Sequence, residues 1–572
     1  MSKEQGSESA VSRSQFIEEE KVAEEKEAPK RLSRKDFVKG AAAVAGAGAL
    51  ASCAPAATPA PAPTCPPAPE CPPAAECAPC PTPWIPETWD KEADVVVVGT
   101  GAAALSAAIQ AHDGEANVLV LEKAPEEEEG GNSRACGNLV FHPTDVDKAI
   151  AYQTALNDLY IVPEDIVAVW AEEMFKNADW MRSLGGDPQV GDYPSMAPEF
   201  PGLPGADCVE ILVNNPDDPE PSRVWRLLKA NVVERGIEVL YETPAKELIQ
   251  DALTGAILGV IAEQSGERIA IKAKKAVVLA CGGYENNQEM GRDYVPNQPY
   301  AYPKGTPYNT GDGITMAVAV GADLWHMNSF AGPAYVFKRP DVDYVEYASW
   351  PDKSYIYVGA DGTRFTAEAA GTHAGKHGKI DFHGQWVPGP TPVPMHLICD
   401  EDFVSKGPIC KAFTNHMGWN NIIVKTWLWS DDNSVEIEKG WIIKADTIRE
   451  LAGKIDQSPD VLEETVSTYN QYCAAGEDLE FGRGPATLKP IAVPPYYALP
   501  LVPGYTNTQG GPRRNAEAHI VRPDRTPIPR LYSAGELGSV YSFCYQGGGN
   551  MGECLAFGRI AGRNAAAEEP WA

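Results

Sequence analysis

The feature that most constrains this chain is an apolar run that ends in a glycine turn. Residues 94–98 (DVVVV) lead into Gly99-Thr100-Gly101, and a stretch of small residues follows. A strand, a tight glycine turn and a small-residue helix form the first unit of a dinucleotide-binding fold. Gly99 permits the turn, Gly101 lets a pyrophosphate approach bare backbone, and Ala104 keeps the helix close to the sheet. The run therefore predicts an α/β fold built on a Rossmann-like domain.

A second apolar run supplies the acid that such a domain uses. Residues 118–121 (VLVL) end at Glu122 and Lys123, roughly 20 residues after the glycine turn. An acid at this position takes the ribose hydroxyls of a bound dinucleotide. A lone G-x-G-x-x-A pattern is weak evidence, but the strand-turn-helix context and the acid make it specific. We therefore assign Glu122 and Lys123 to the cofactor site.

Further motifs indicate which dinucleotide is bound. Residues 130–138 read GGNSRACGN, residues 310–313 read TGDG, and the C-terminal part contains SAGE (533–536) and FGRIAG (557–562). With these motifs the chain resembles the soluble fumarate reductase and 3-ketosteroid dehydrogenase flavoprotein family from about residue 92 to 567. The resemblance implies non-covalently bound FAD and a capping domain that closes over the flavin. It adds these cofactor contacts: Asn132, Ser133, Gly137, Gly282, Asp312, Glu536, Asn550 and Met551.

The resemblance and the composition shifts together predict five segments. Residues 1–53 are an export signal with a lipobox, and residues 54–90 are a linker rich in Pro, Ala and Cys. A discontinuous, Rossmann-like FAD-binding domain occupies residues 91–325 and 496–572. An α+β capping domain is inserted between them over residues 326–495, where aromatic residues and histidines become frequent.

The N-terminal segment predicts the destination of the protein. Ser33-Arg34-Lys35 precedes a mildly apolar run, as in a twin-arginine export signal with Lys35 in place of the second arginine. Residues 50–53 (LASC) resemble a lipobox, so we expect an exported cell-envelope protein that is lipid-anchored at Cys53. The linker beyond it favours extended polyproline II. Its four cysteines fit local disulfides, plain low complexity or, less well, a metal site: Cys65, Cys71, Cys77 and Cys80.

The overall composition excludes two classes of partner. The net charge of −31, from 79 acidic and 48 basic residues, argues against nucleic acid and against an anionic membrane surface. No run of eighteen apolar residues occurs in the sequence, so we expect membrane attachment by the lipid anchor only. The cysteines beyond the linker are scattered singly, and we expect no metal ion in the site.

Three positions decide which branch of the family the chain resembles. In the dicarboxylate reductases an arginine after an F-D-x-x-x-R stretch donates the proton, whereas residues 399–404 here (CDEDFV) end in Val404. Those enzymes also carry N-R-L-G-G-N, whose arginine binds a substrate carboxylate. Gln546 stands at that position here, and a neutral amide cannot replace a bidentate guanidinium–carboxylate pair. Asn507 or a neighbour stands where those enzymes have a substrate histidine, so these departures speak against fumarate.

The loop around Gln546 looks more like the ketosteroid branch. There a Y-x-G-x-G segment presents a tyrosine hydroxyl and a glycine amide to a ketone oxygen, and Tyr545 and Gly549 match these positions. Such an oxyanion hole contributes about 3 kcal/mol per donor. The branch takes its proton donor from a capping-domain tyrosine, for which we choose Tyr335. The alternative acids are Tyr344, Tyr347, Tyr355, Tyr357, His373, His377 and His383.

The sequence therefore predicts an FAD-dependent oxidoreductase that acts on CH–CH groups. The favoured reaction is reduction of a C=C bond conjugated to a carbonyl, in an enone or ketosteroid-like substrate, with an external envelope or membrane electron donor. One alternative is a reductase of an α,β-unsaturated carboxylate in anaerobic respiration, with Arg513 and Arg514 binding the acid. The other is a non-catalytic flavin lipoprotein that transfers electrons between partners.

Overall fold

The computed structural model describes residues 85–571, apart from Ser195, 296–300, 333–334, 342–344, 347–350, 369–376, 411–416 and 426–428. All of these residues belong to one compact unit, Pro81–Ala572. The export signal, Cys53 and the four linker cysteines lie outside the described residues, as do Tyr344, Tyr347 and His373. None of the helices in the described ranges is long and apolar enough to cross a membrane.

An eight-stranded sheet forms the frame of the molecule. Five of its strands are parallel; one antiparallel strand pairs with Pro527–Ser533 at the edge, and two more extend from Glu267–Leu279. In spatial order the main path runs His519–Val521, Pro527–Ser533, Glu267–Leu279, Lys91–Val98, Val118–Leu121 and Glu238–Leu240, and Ala245–Gln250 and Ile257–Gln264 continue from Glu267–Leu279. The predicted first strand therefore lies in the middle of the sheet, as in a Rossmann-like domain.

Both faces of this sheet are covered, which explains the unbroken apolar run of its first strand. Val95 and Val97 pack into one core cluster, while Val96 and Val98 pack into a second cluster on the opposite face. A strand that is buried on both faces has no reason to alternate with polar residues. The unbroken apolar run that ends at Val98 is thus a consequence of a three-layer α/β architecture.

Two helices from opposite ends of the chain lie against each other on one face of the sheet. We call Ala102–Asp113 the nucleotide helix and Gly549–Ala567 the C-terminal helix. A Cβ added to Gly558 would lie 2.6 Å from the Ser106 Cβ, and one added to Gly562 would lie 2.2 Å from the Ala107 carbonyl oxygen. The glycines of FGRIAG therefore permit a contact between the helices that any side chain would prevent.

A second sheet of seven strands forms the centre of the region that we call the cap (residues 326–505), and one short strand of this sheet, Tyr302–Pro303, precedes the cap in sequence. Its strands are antiparallel except for one short parallel pair: Tyr302–Pro303, Tyr335–Lys338, Val345–Glu346, Tyr355–Val358, Met395–Asp400, Ile443–Ala445 and Tyr496–Tyr505. The last strand pairs with four of the others. The cap sheet extends ten residues past the predicted end of the capping domain at 495/496. Its last strand is Tyr496–Tyr505, after which the chain returns to the parallel sheet.

The remaining elements connect and cover these two sheets. Four small sheets pair Leu139–Pro143 with Val209–Asn214 and Pro188–Val190, Leu324–Trp325 with Gly511–Pro512, Phe330–Ala331 with Asn507–Thr508, and Lys379–Phe382 with Gln385–Pro388. The other α-helices are Gly131–Ala135, Val146–Asn157, Glu164–Phe175, Asn177–Ser183, Arg223–Glu234, Gln288–Tyr294, Asp312–Ala319, Glu401–Val404, Ser434–Glu438, Ile448–Lys454 and Pro459–Ala475. Shorter helical turns are Glu126–Glu128, Ala206–Cys208, Asn420–Val424 and Pro485–Thr487.

Candidate active site

A cleft with about 790 Å³ of empty space opens where the parallel strands end. Its walls come from widely separated parts of the chain, and nine of the residues predicted as cofactor contacts lie in them: Gly99, Gly101, Glu122, Lys123, Asn132, Ser133, Gly282, Asp312 and Glu536. Ligands of open α/β folds bind at this edge of the sheet. The motifs at residues 94–104, 130–138, 310–313 and 533–536 therefore meet in one place.

The glycine turn forms the floor of the cleft. Gly99 has a φ of +110°, and its Cβ position lies 2.7 Å from the carbonyl oxygen of Ala280, the residue after the neighbouring strand. Gly101 caps the nucleotide helix, which has no acidic residue in its first turn. The Ser133 hydroxyl accepts a hydrogen bond of 2.9 Å from the Ala102 amide. The positive end of the helix dipole is thus open to an anionic group such as a pyrophosphate.

Glu122 and Lys123 line the wall beyond the glycine turn. The Glu122 carboxylate accepts a hydrogen bond of 2.8 Å from the Ala124 amide and another from the Thr100 hydroxyl. Burial raises the pKa of Glu122, although these hydrogen bonds oppose the shift. Lys123 Nζ lies 2.7 Å from both the Thr310 hydroxyl and the Asp312 carboxylate. Asp312 is therefore a cleft residue whose charge is paired with Lys123, a partner that the sequence did not indicate.

A buried polar cluster closes the end of the cleft that contains Glu536. The Asn132 amide donates to Glu285 at 2.7 Å and to Glu536 at 3.3 Å, so one side chain bridges two carboxyl groups. Glu285 also accepts hydrogen bonds from the Asn309 amide at 2.7 Å and the Thr508 hydroxyl at 3.0 Å. Glu285 was not predicted, although its place two residues after Gly282-Gly283, which follow a parallel strand, was an available signal.

The two carboxyl groups of this cluster, Glu285 and Glu536, are both buried, and burial disfavours their charged forms. Burial raises the pKa of Glu285, and burial together with the Glu285 charge raises the pKa of Glu536 well above its usual range. A pair of buried acids disfavours the doubly charged state. The pair therefore retains a proton at a pH at which an ordinary carboxylic acid has lost it, and it adds less negative charge to the cleft than its two acids suggest.

The loop 545–549 lies next to this cluster and is fixed by hydrogen bonds of the Gln546 side chain. The Gln546 side chain is fully buried and accepts hydrogen bonds from the Tyr152 hydroxyl at 2.6 Å and the Glu199 amide at 3.1 Å. Its own amide donates to the Met196 carbonyl oxygen at 2.7 Å. Gln546 thus fixes the loop to residues 196–199, and its functional groups are used inside the protein.

Tyr545, the first residue of this loop, contacts the cap. Its hydroxyl accepts a hydrogen bond of 3.4 Å from the backbone N–H of Asn550, and its ring centroid lies 4.8 Å from that of His377. Burial raises the pKa of Tyr545, and the charge of Glu199 acts in the same direction. The phenol is therefore neutral and able to donate a hydrogen bond.

The comparisons with known proteins agree with this geometry. A family model described as "FAD binding domain" matches residues 94–551. The chain belongs to this family. It is 29% identical to digoxin reductase from Eggerthella lenta, with 84% of this chain and 88% of that protein covered. It is 28% identical to 3-oxosteroid 1-dehydrogenase from Mycolicibacterium smegmatis, with 83% and 98% covered.

The solved structures show the same fold. The structure of 3-ketosteroid delta1-dehydrogenase from Sterolibacterium denitrificans with 1,4-androstadiene-3,17-dione superposes with a TM-score of 0.67. The match covers 83% of this chain and 100% of that one at 23% identity. The family, the α/β fold with a parallel sheet and FAD as the cofactor are thereby confirmed.

The residues of the cleft fit the FAD of this family. The helix N-terminus without acids suits the pyrophosphate, Glu122 stands at the ribose position, and the cluster around Asn132 and Glu536 lies at the opposite end. Four predicted contacts do not line the cleft: Ala104, Gly137, Asn550 and Met551. Ala104 and Met551 are buried in the core, while the Asn550 side chain accepts a hydrogen bond of 2.9 Å from Gln509.

Two predicted catalytic residues are corrected by the structure. Tyr335 is 2% exposed and packs against Tyr357 and Phe365 in the core of the cap, and its hydroxyl donates to the Pro390 carbonyl oxygen at 2.8 Å. The Gly549 amide already donates to the Gln546 carbonyl oxygen at 2.9 Å within the loop. Neither group is therefore placed to serve a substrate as predicted, and Tyr545 alone of the three retains its assignment.

A substitution in the glycine turn tests the location of the cofactor. Gly99→Ala forces a side chain into the left-handed region and against Ala280, which costs about 1–3 kcal/mol. If the turn binds FAD, this strain weakens FAD binding by roughly 10- to 100-fold, as measured by titrating the apoprotein with FAD. Gly453→Ala is the control, because nothing lies within 4 Å of that helical glycine. Equal FAD affinity in Gly99→Ala and wild type would contradict the assignment.

Proposed function

We propose that this flavoprotein reduces a C=C bond that is conjugated to a ketone, in an enone or ketosteroid-like substrate. The observation that carries the proposal is the neutral Tyr545 hydroxyl, on the loop before the C-terminal helix and near Glu536 of the cleft wall. FAD, when bound, would supply the hydride chemistry. Addition of a hydride to the β-carbon moves negative charge onto the carbonyl oxygen, and a hydrogen bond from Tyr545 stabilises that charge. The two similar proteins named above act on digoxin and on 3-oxosteroids, which supports a bulky, ring-containing substrate.

The charged residues argue against the carboxylate alternative. Arg513 pairs with Asp323 at 2.7 Å, and the buried Arg514 pairs with Glu553, so neither arginine is available to bind a substrate carboxylate. Gln546, at the position of the carboxylate-binding arginine, is hydrogen-bonded to Tyr152 and Met196 inside the protein. Val404, at the position of the proton-donating arginine, packs in the cap core. A ketone needs none of these cations, whereas an acid needs at least one.

The cap argues against a purely electron-transferring flavin protein. Its seven-stranded sheet has its own aromatic core, and the cap residue His377 reaches Glu199 beside the loop 545–549. A protein that only relays electrons gains from an accessible flavin, whereas a catalyst gains from a cover that excludes water from the reacting atoms. Catalysis is therefore the better explanation of this arrangement.

The central experiment measures which alkene reoxidises the reduced protein. Under anaerobic conditions we expect dithionite-reduced protein to be reoxidised by benzalacetone or a steroid enone much faster than by cinnamate, the acid that matches benzalacetone. Tyr545→Phe should slow the reaction with the enone by about 100-fold, the effect of removing one oxyanion donor.

Tyr335→Phe is the matched control, because its hydroxyl is bonded inside the cap and its loss should change the rate little. Cinnamate reacting as fast as the enone would favour the carboxylate alternative. Reduced protein that no alkene reoxidises would leave only electron transfer.

We further propose that the protein is exported and anchored in the cell envelope through a lipid on Cys53, and that a donor in the envelope or membrane supplies its electrons. The support is the leader sequence around Arg34 and the lipobox-like LASC at residues 50–53. In a bacterial host we expect the protein in the membrane fraction, and Cys53→Ser should move it to the soluble fraction. Cys65→Ser, in the linker, should leave it membrane-bound. An unchanged distribution of Cys53→Ser would exclude the anchor.

A further inference from the structure

The reduction of an enone needs a proton as well as a hydride, and Tyr335, the residue predicted to give it, is enclosed in the cap core. We infer that His377 donates this proton to the α-carbon and that Glu199 holds its ring in place. This inference rests on the proposed function and completes it with a second catalytic group. The α-carbon is only two bonds from the carbonyl oxygen, so its proton donor has to stand beside Tyr545.

The position of His377 meets that requirement. The residue comes from the cap, yet its ring meets the Tyr545 ring edge-on, with 4.8 Å between the centroids and an angle of 72° between the planes. Its side chain is 14% exposed. A partly buried imidazole beside the residue that binds the carbonyl oxygen has both access to substrate and a route to solvent for reprotonation.

Glu199 gives the imidazole a fixed orientation. His377 Nε2 lies 2.9 Å and 3.1 Å from the two Glu199 carboxylate oxygens. The same carboxylate accepts a hydrogen bond of 2.8 Å from the Gly547 amide. Glu199 therefore connects the cap to the loop that carries Tyr545, as the carboxylate of a catalytic triad orients its histidine. It acts through His377 and is a positioning residue.

The hairpin that follows His377 is secured on both sides. The Lys379 ammonium donates a hydrogen bond to the Phe330 carbonyl oxygen, and Trp386 packs against Phe200 with 5.3 Å between ring centroids. Phe200 is the neighbour of Glu199. These contacts fix the cap hairpin (Lys379–Phe382 and Gln385–Pro388) relative to the residues around Glu199, and they place His377 at its base.

The other candidate acids are poorly placed for this step. The Tyr541 hydroxyl is buried against Gly549, where a Cβ would lie 2.0 Å from it. His383 is exposed in the turn of the cap hairpin. The hydroxyls of Tyr335 and Tyr355 donate to the carbonyl oxygens of Pro390 and Glu368. Tyr541 and His377 both contact the Tyr545 ring, and of these two His377 is the one that is partly exposed.

The proposed step balances in atoms and electrons. The C=C π bond breaks, a hydride with its two electrons forms the C–H bond at the β-carbon, and the proton from the His377 imidazolium forms the C–H bond at the α-carbon. The hydride comes from the family's cofactor after its reduction by the electron donor. His377 is left neutral and takes a proton from solvent before the next turnover.

Chemical rescue tests the role of His377. We expect His377→Ala to slow anaerobic reoxidation by an enone by about 100-fold or more, the usual contribution of a positioned acid. Added imidazole should then restore the rate by about tenfold or more, because it occupies the space of the lost ring and supplies the missing proton. His377→Gln retains a hydrogen-bond donor for Glu199 but has no proton to give, so it should be equally slow while binding FAD normally.

Two further variants separate catalysis from structure. Glu199→Gln should slow the reaction less than His377→Ala and should not respond to imidazole, whereas His383→Gln should behave as wild type. A His377→Gln rate within about twofold of wild type, or a His377→Ala rate that imidazole does not change, would overturn the inference. If wild-type protein is not reoxidised by any enone, the proposed function itself fails.

Discussion

The structure depends on the close contact between the nucleotide helix and the C-terminal helix. Gly558 and Gly562 place backbone against Ser106 and Ala107, at distances that a Cβ would reduce to 2.6 and 2.2 Å. Protein interiors are packed too densely to absorb such an overlap. Because the C-terminal helix begins at Gly549, this contact also sets where Tyr545 lies relative to the glycine turn. The two ends of the folded region thereby form one cleft, and the cap is inserted between them.

The half of the site that binds the cofactor could be predicted from the sequence. It is built from backbone features with a local signature, such as a glycine turn after an apolar strand, and Gly99, Gly101 and Glu122 lie in the cleft as expected. What could not be predicted is how the polar groups pair. Lys123 with Asp312 and Asn132 with Glu285 are contacts between residues more than a hundred positions apart. No local pattern specifies such pairs, because they form only when the fold brings distant helices and loops together.

The half that faces the substrate was harder to predict for the same reason. Tyr335 was chosen from its place in the chain, but it lies on a cap strand that turns its ring into the core. Gly549 matched a motif position, but its amide closes a turn within the loop. His377 had no distinguishing neighbours in sequence, and its partner Glu199 lies 178 positions away. Family motifs thus fixed the position of the loop, whereas the roles of individual groups required the structure.

The central claim is that a substrate carbonyl binds at Tyr545 with its conjugated alkene between the flavin and His377. The most direct measurement is an experimental structure of the FAD-loaded protein with an unsaturated ketone bound. The account predicts a hydrogen bond of about 2.7 Å from the Tyr545 hydroxyl to the ketone oxygen, with the His377 ring beside the α-carbon. A ketone whose oxygen binds away from Tyr545, or whose alkene lies outside the cleft, would contradict it.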